Sequence, residues 1–257
     1  MHVTGFMNNL PLWLIFPGTL ILALIFWEFG YRFGHRTTKE QKPETEQSIT
    51  TLVSIIVGLV AFLLAFTFNM AAGRFQERRD VFLEDVNAIG TTYLRADLVA
   101  EPERSKLKSL MREYVDLRIS IAGSDNIQTR LDRTTEIQDE LWKETVAVTE
   151  KDRSPVAAVF VTSLNEMLDM HTKRMTIMFQ HRIPDSVWLA LYALTIFGIA
   201  AMGYQNGLLD HGRSPAVLIV ALMFAVVISM IADLDTPGQG TIYVDQQPII
   251  ELRNSMK

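Results

Sequence analysis

Residues 51–97 read TLVSIIVGLVAFLLAFTFNMAAGRFQERRDVFLEDVNAIGTTYLRAD, and no proline interrupts them. The stretch opens apolar and turns charged at Arg74. A helix begun in the apolar part therefore meets no imino residue that would stop it before the charged part. At about 1.5 Å per residue such a rod reaches about 70 Å, more than twice the roughly 30 Å hydrocarbon thickness of a bilayer. One helix is expected to cross a membrane and carry a soluble domain on its end.

The rest of the chain fits around that rod. Apolar residues make up 49% of the 257 and fall into four blocks, near 10–27, 49–73, 186–204 and 215–232, each long enough to span. The segment between the second and third blocks is strongly charged and helical in period. The expected fold is an all-α membrane protein with four transmembrane helices. A soluble helical bundle lies between the second and third, and the second helix runs continuously into it. The expected organisation is a first membrane pair in 1–73, the bundle in 74–183, a second membrane pair in 184–232 and a tail in 233–257. No Lys or Arg precedes the first block, so a retained helix is expected rather than a cleaved leader.

Composition removes several function classes. There is no cysteine, hence no disulfide, thiolate metal site or Cys nucleophile. A net charge of -5 gives no basic excess for nucleic acid. No G-x-S-x-G, G-x-x-x-x-G-K or H-E-x-x-H occurs, and the five histidines (His2, His35, His171, His181, His211) show no ligand spacing. They read as surface or capping residues. Neither an enzyme nor a cofactor or metal site is expected.

Function must therefore come from the rod. On a 3.6-residue period, Gly58, Phe62, Phe66, Asn69 and Gly73 share one face, and Ile56, Val60, Leu63 and Leu64 share the opposite one. A stripe mixing small, aromatic and amide residues suits close helix packing or a narrow apolar pore that gates by dewetting. Arg74, Arg78 and Arg79 make a basic collar at the membrane exit, either an interfacial anchor or a ring of guanidinium groups at a pore mouth. Beyond it Phe75, Phe82, Val86, Ile89, Tyr93 and Ala96 recur as a packing seam.

Three further helices complete the expected bundle. Residues 101–122 carry Leu107, Leu110, Tyr114, Leu117 and Ile121 on one face. Residues 126–149, capped by Ser124 and Asp125, have sparser apolar positions and belong on the outside. A last helix opens at Ser154-Pro155 and presents Phe160, Leu164, Met167 and His171, with its methionines (Met167, Met170, Met175, Met178) read as adaptable core. Ser48 is a plausible cap for the second membrane helix. After the fourth come an acidic exit, a Pro/Gly turn, a strand-like or extended run at 241–244 and a short helix after Pro248. Asp233 and Asp235 are candidate cation ligands there.

Charge does not orient the chain. The 28–48 connector and 205–214 turn hold five Lys/Arg, and the opposite membrane ends hold six. No ionisable residue sits mid-membrane, which weighs against a proton relay. Thr67, Thr195 and Ser229 are the hydroxyls available deep in the membrane.

Two stretches carry a resemblance. RFQERRDVFLEDVNAIGTTYLRADLV, from Arg74, resembles the signature of the bacterial bestrophin-like domain family, and LDTPGQGTIYVDQQP, from Leu234, resembles its closing motif, departing at Thr236 where an Arg is commoner. A more distant similarity reaches the bestrophins themselves, pentameric anion channels. Their Phe-x-x-x-Phe neck and following Arg-aromatic pair are matched by Phe62, Phe66 and Arg74-Phe75. The resemblance implies a homo-oligomeric, five-fold channel for inorganic anions such as chloride, in a bacterial inner membrane with the soluble domain cytoplasmic. Gly58 falls at the third neck position, which implies a wider constriction. The calcium-binding acidic cluster of animal bestrophins is reduced to Asp233 and Asp235. Two other plans share the layout: a stator-like energy-coupling subunit, and a non-transporting scaffold or sensor that relays movement along the seam.

Overall fold

A computed structural model describes residues 11–37, 43–121, 127–180, 182–209, 213, 215–238 and 240–256. The caps expected at Ser124 and Asp125, together with His2, His181 and His211, lie outside these. Among the described residues eight α-helices follow one another: α1 (Leu12–Thr37), α2 (Pro43–Arg95), α3 (Glu103–Ile121), α4 (Ile127–Lys151), α5 (Pro155–Gln180), α6 (Asp185–Leu208), α7 (Ala216–Asp235) and α8 (Gln247–Ser255). Among the described residues there is no strand, and residues 242–246 carry no regular secondary structure. Four helices are long and apolar enough to cross a membrane: α1, α2, α6 and α7.

Helix α2 is continuous over 53 residues, longer than the sequence indicated. Ser48 does not cap it. The helix begins at Pro43, whose fixed φ and missing N–H suit a first position. Helix α1 likewise runs ten residues past Trp27, through a stretch expected to be interfacial connector. The opening of α5 follows the expected pattern: Ser154 Oγ accepts from Ala157 N at 3.3 Å, and Asp152 in turn accepts from Ser154.

The chain divides into two compact units, one of residues 1–75 with 182–243 and one of residues 76–181 with 244–257. In the first, α1 packs on α6 with the backbones nearly touching. An added Cβ on Gly30 would land on the Ala200 carbonyl, on Gly34 the Tyr204 carbonyl, on Gly203 the Trp27 carbonyl, and on Gly207 the Tyr31 carbonyl. Residue numbers rise together along both helices, so α1 and α6 run parallel. Two Gly-x-x-x-Gly pairs make this close approach, which in lipid must come from packing because lipid tails are as apolar as leucine. The aliphatic face of α2 finishes the unit: Val60 and Leu64 are buried with Leu191, Ile228 and Ile231, and Val60 and Ile56 lie over Gly198.

The second unit is a helical bundle. Phe82, Val86, Ile89, Tyr93 and Ala96 of the expected seam are buried together with Leu107, Tyr114, Ile137, Leu141, Phe160, Leu164 and Met167. Phe75 is half-buried and belongs to the membrane unit instead. Helix α8 closes the bundle with buried Ile249 and Met256, and Arg253 donates both Nε and Nη2 to Asp116 at 2.6 and 2.8 Å.

Candidate functional site

The stripe on α2 faces outward in the protomer. Phe62 is 65% exposed and Phe66 55%, and Gly58, Asn69 and Gly73 are exposed beside them. A Cβ on Gly58 or Gly73 would meet nothing within 4 Å. Leu52, Ile55 and Leu59 continue the same exposed line toward the start of the helix. The stripe therefore does not pack inside the protomer. That role falls to the opposite face.

The three arginines do not share one direction. Arg78 is buried, Arg79 exposed, and Arg74 half-buried with Nη2 donating to Met70 Sδ at 3.9 Å. An α-helix turns about 100° per residue, so the neighbours Arg78 and Arg79 point to different sides. Gln76, Glu77, Asp80 and Glu84 are all exposed. Asp80 accepts from Gln76 at 2.8 Å and makes no ion pair among the described residues, while Glu84 accepts from Lys173 at 2.8 Å.

Asp233 and Asp235 are engaged in holding backbone. Both carboxylate oxygens of Asp233 accept from Thr241 N, at 3.1 and 3.0 Å, and Ile242 N adds a bond at 3.4 Å. Gly238 and Gly240 have φ of 73° and 94°, and a Cβ on Gly240 would overlap the Asp233 carboxylate. Gly238 and Gly240 thus both take left-handed φ, and glycine at 240 leaves room for main chain against the Asp233 carboxylate. Asp235 Oδ1 accepts from Ile183 N at 2.9 Å. A cation would have to displace these bonds, and no group of three His, Asp or Glu among the described residues could hold a metal.

A buried charge cluster in the bundle went unnoticed in the sequence. Asp85 is fully buried, with Arg118 Nη2 at 2.5 Å and Arg174 Nε at 3.3 Å. Arg118 Nη1 also donates to the Tyr114 hydroxyl at 3.3 Å, which lies 3.0 Å from His171 Nδ1. Which of the Tyr114 hydroxyl and His171 Nδ1 donates depends on the imidazole tautomer. Burial, then the charges of Arg174 and Arg118, lower the His171 pKa to about 4. His171 is half-buried rather than exposed at the surface. The spacing of Asp85, Arg118 and Arg174 carries no periodic signal, since the three come from α2, α3 and α5.

Comparison with known proteins agrees with this architecture. A model of the bestrophin-like domain matches residues 20–249. Crystal structures of a bacterial bestrophin homolog from Klebsiella pneumoniae are similar in fold. One aligns with TM-score 0.64 at 13% identity over 94% of each chain. A point variant aligns with TM-score 0.66 at 13% identity, over 100% of this chain and 96% of that one. No curated protein sequence matches. With nearly its whole length matched to the domain, the chain belongs to the bestrophin-like family.

Proposed function

We propose that this protein is the subunit of a homo-oligomeric ion channel, five-fold by family likeness, with the exposed stripe of α2 lining the conduction path. The observation that carries the reading is the outward face of Gly58, Phe62, Phe66, Asn69 and Gly73, none of which the protomer itself covers. Copies arranged about an axis would bring Phe62 and Phe66 together as a hydrophobic neck, narrow enough to oppose hydrated ions by dewetting. Asn69 would offer a polar ring one turn beyond.

The charge preference we assign differs from the anionic one that family likeness implies. Anion attraction would rest on Arg74, Arg78 and Arg79, of which Arg78 is buried and Arg74 half-buried. Among the first residues beyond Phe75, Glu77, Asp80 and Glu84 are exposed, and Asp80 has no cationic partner among the described residues. Rings of Asp and Glu favour cations. The path is read as cation-preferring.

Purified protein in planar bilayers tests both parts. Phe62→Ala and Phe66→Ala should each raise conductance, and in a potassium chloride gradient the reversal potential should approach that of potassium. Asp80→Asn should move it toward zero. Absence of current in wild type and both Phe variants removes the channel reading. A reversal potential that follows chloride removes the cation reading and leaves the channel. The scaffold or sensor alternative predicts a dimer with no axial hole, and the stator-like one predicts a co-purifying single-span partner. An image of the solubilised particle separates these from a channel.

A further inference from the structure

The membrane unit has a groove that no part of the stripe explains. It measures about 740 Å³ and lies on the outer face of the α1–α6 pair, lined by the first turns of both helices. Its origin is legible in α1. Pro17 removes a helical N–H, and Gly18 supplies no side chain where a Cβ would meet nothing within 4 Å. The floor is closed by Trp188, whose ring lies 6.3 Å from that of Tyr192, and by a hydrogen bond of 3.1 Å between Thr19 Oγ1 and the Tyr192 hydroxyl. That bond occupies the two hydroxyls the floor presents, so the interior is apolar. Asp185 and Ser186 stand at the mouth, at the start of α6. The Asp185 carboxylate is exposed and makes no hydrogen bond or ion pair among the described residues.

We infer that this groove holds a phospholipid with an ammonium headgroup, one acyl chain in the groove and the amine on Asp185. Position and charge argue for that occupant. Both lining helices span the membrane, so hydrocarbon surrounds the groove, and its volume falls within the range of sites that enclose a small ligand. An apolar groove alone gives a lipid chain little advantage over the bilayer, because lipid tails are as apolar as the side chains. Selection must come from the mouth. There an unpaired carboxylate at headgroup level attracts an ammonium group and repels an anionic headgroup.

Native mass spectrometry tests this on protein released from nanodiscs of equal phosphatidylethanolamine and phosphatidylglycerol. Wild type should retain phosphatidylethanolamine over phosphatidylglycerol by about fivefold, the factor expected of one charge at a membrane surface. Asp185→Asn should keep bound lipid but lose the preference. Gly18→Trp should lose the lipid at unchanged subunit number. If Gly18→Trp does not fold, Asp185→Asn decides alone. Equal retention of the two lipids by wild type, or an unchanged preference in Asp185→Asn, overturns the inference. A lower subunit number in Gly18→Trp also overturns it, since the groove would then seat a second copy.

Discussion

Glycine serves opposite ends in two parts of the membrane unit. Between α1 and α6, Gly30, Gly34, Gly203 and Gly207 each face a carbonyl so close that a Cβ has no place. On α2, Gly58 and Gly73 face empty space. The first surface is finished within the protomer, where small residues let two backbones touch and gain dispersion contacts that lipid does not supply. The second is left open on the very face that carries Phe62 and Phe66. The same residue type thus marks where the fold is closed and where it is still unsatisfied.

The largest effect that can break this contrast is steric. Gly30→Leu or Gly203→Leu should destabilise the protein by more than about 3 kcal/mol, the upper end for ordinary overpacking, because the obstacle is backbone rather than a movable side chain. Loss of the monodisperse peak on size-exclusion chromatography in detergent would register it. Gly73→Leu, by contrast, should leave that peak in place. If the two classes behave alike, the division into finished and open surfaces is wrong.

Charge gives the next test, in the bundle where the other face of α2 is finished. Asp85 is fully buried between Arg118 and Arg174, so Asp85→Ala leaves two guanidinium groups without their carboxylate. Breaking a buried pair from one side costs about 3–5 kcal/mol. Asp80→Ala, five residues earlier on the exposed face, should cost less than about 0.5 kcal/mol. Thermal unfolding followed by tryptophan fluorescence compares them directly, and equal losses would erase the distinction between the two faces.

A smaller effect follows from pH. The His171 pKa is about 4 in the fold against an ordinary 6.5, so between those values the unfolded chain binds a proton that the folded chain does not. Stability is therefore complete above about pH 6.5 and falls as the pH drops toward 4, by at most about 3 kcal/mol. His171→Gln keeps an acceptor for the Tyr114 hydroxyl and cannot titrate. Its melting temperature should change less than that of wild type between pH 7 and pH 5. An identical slope in the two proteins would mean that burial and its two arginines do not hold His171 neutral.

The reach of the sequence follows from these physical differences. Helix continuity in α2 was legible because only proline could have broken it, and none occurs between Pro43 and Pro102. The seam from Phe82 to Ala96 was legible because it repeats with the helical turn. The arginine collar has no common direction that adjacency along the chain could reveal, because about 100° per residue sends the neighbours Arg78 and Arg79 to different sides of the helix, one buried and one exposed. Asp85 and its arginines come from different helices, so no local period connects them. The α1–α6 contact was readable in principle, in Gly30-x-x-x-Gly34 and Gly203-x-x-x-Gly207. The stripe drew attention to glycines with aromatic neighbours instead, and those turned out to be the open ones.

The finest test lies at Gly58. Its φ is helical and its surroundings are open, so alanine there meets no obstacle and removes the entropy that glycine carries in the unfolded chain. Gly58→Ala should therefore stabilise the protein by about 0.5–1 kcal/mol, the reverse of any substitution at Gly30. Stability and conduction should separate at this position. If the stripe lines a path, an added methyl from every copy narrows it one turn from Phe62, and single-channel conductance should fall while the melting temperature rises. A rise in stability with unchanged conductance would keep the open surface but take it off the conduction path, leaving lipid as what Gly58 faces.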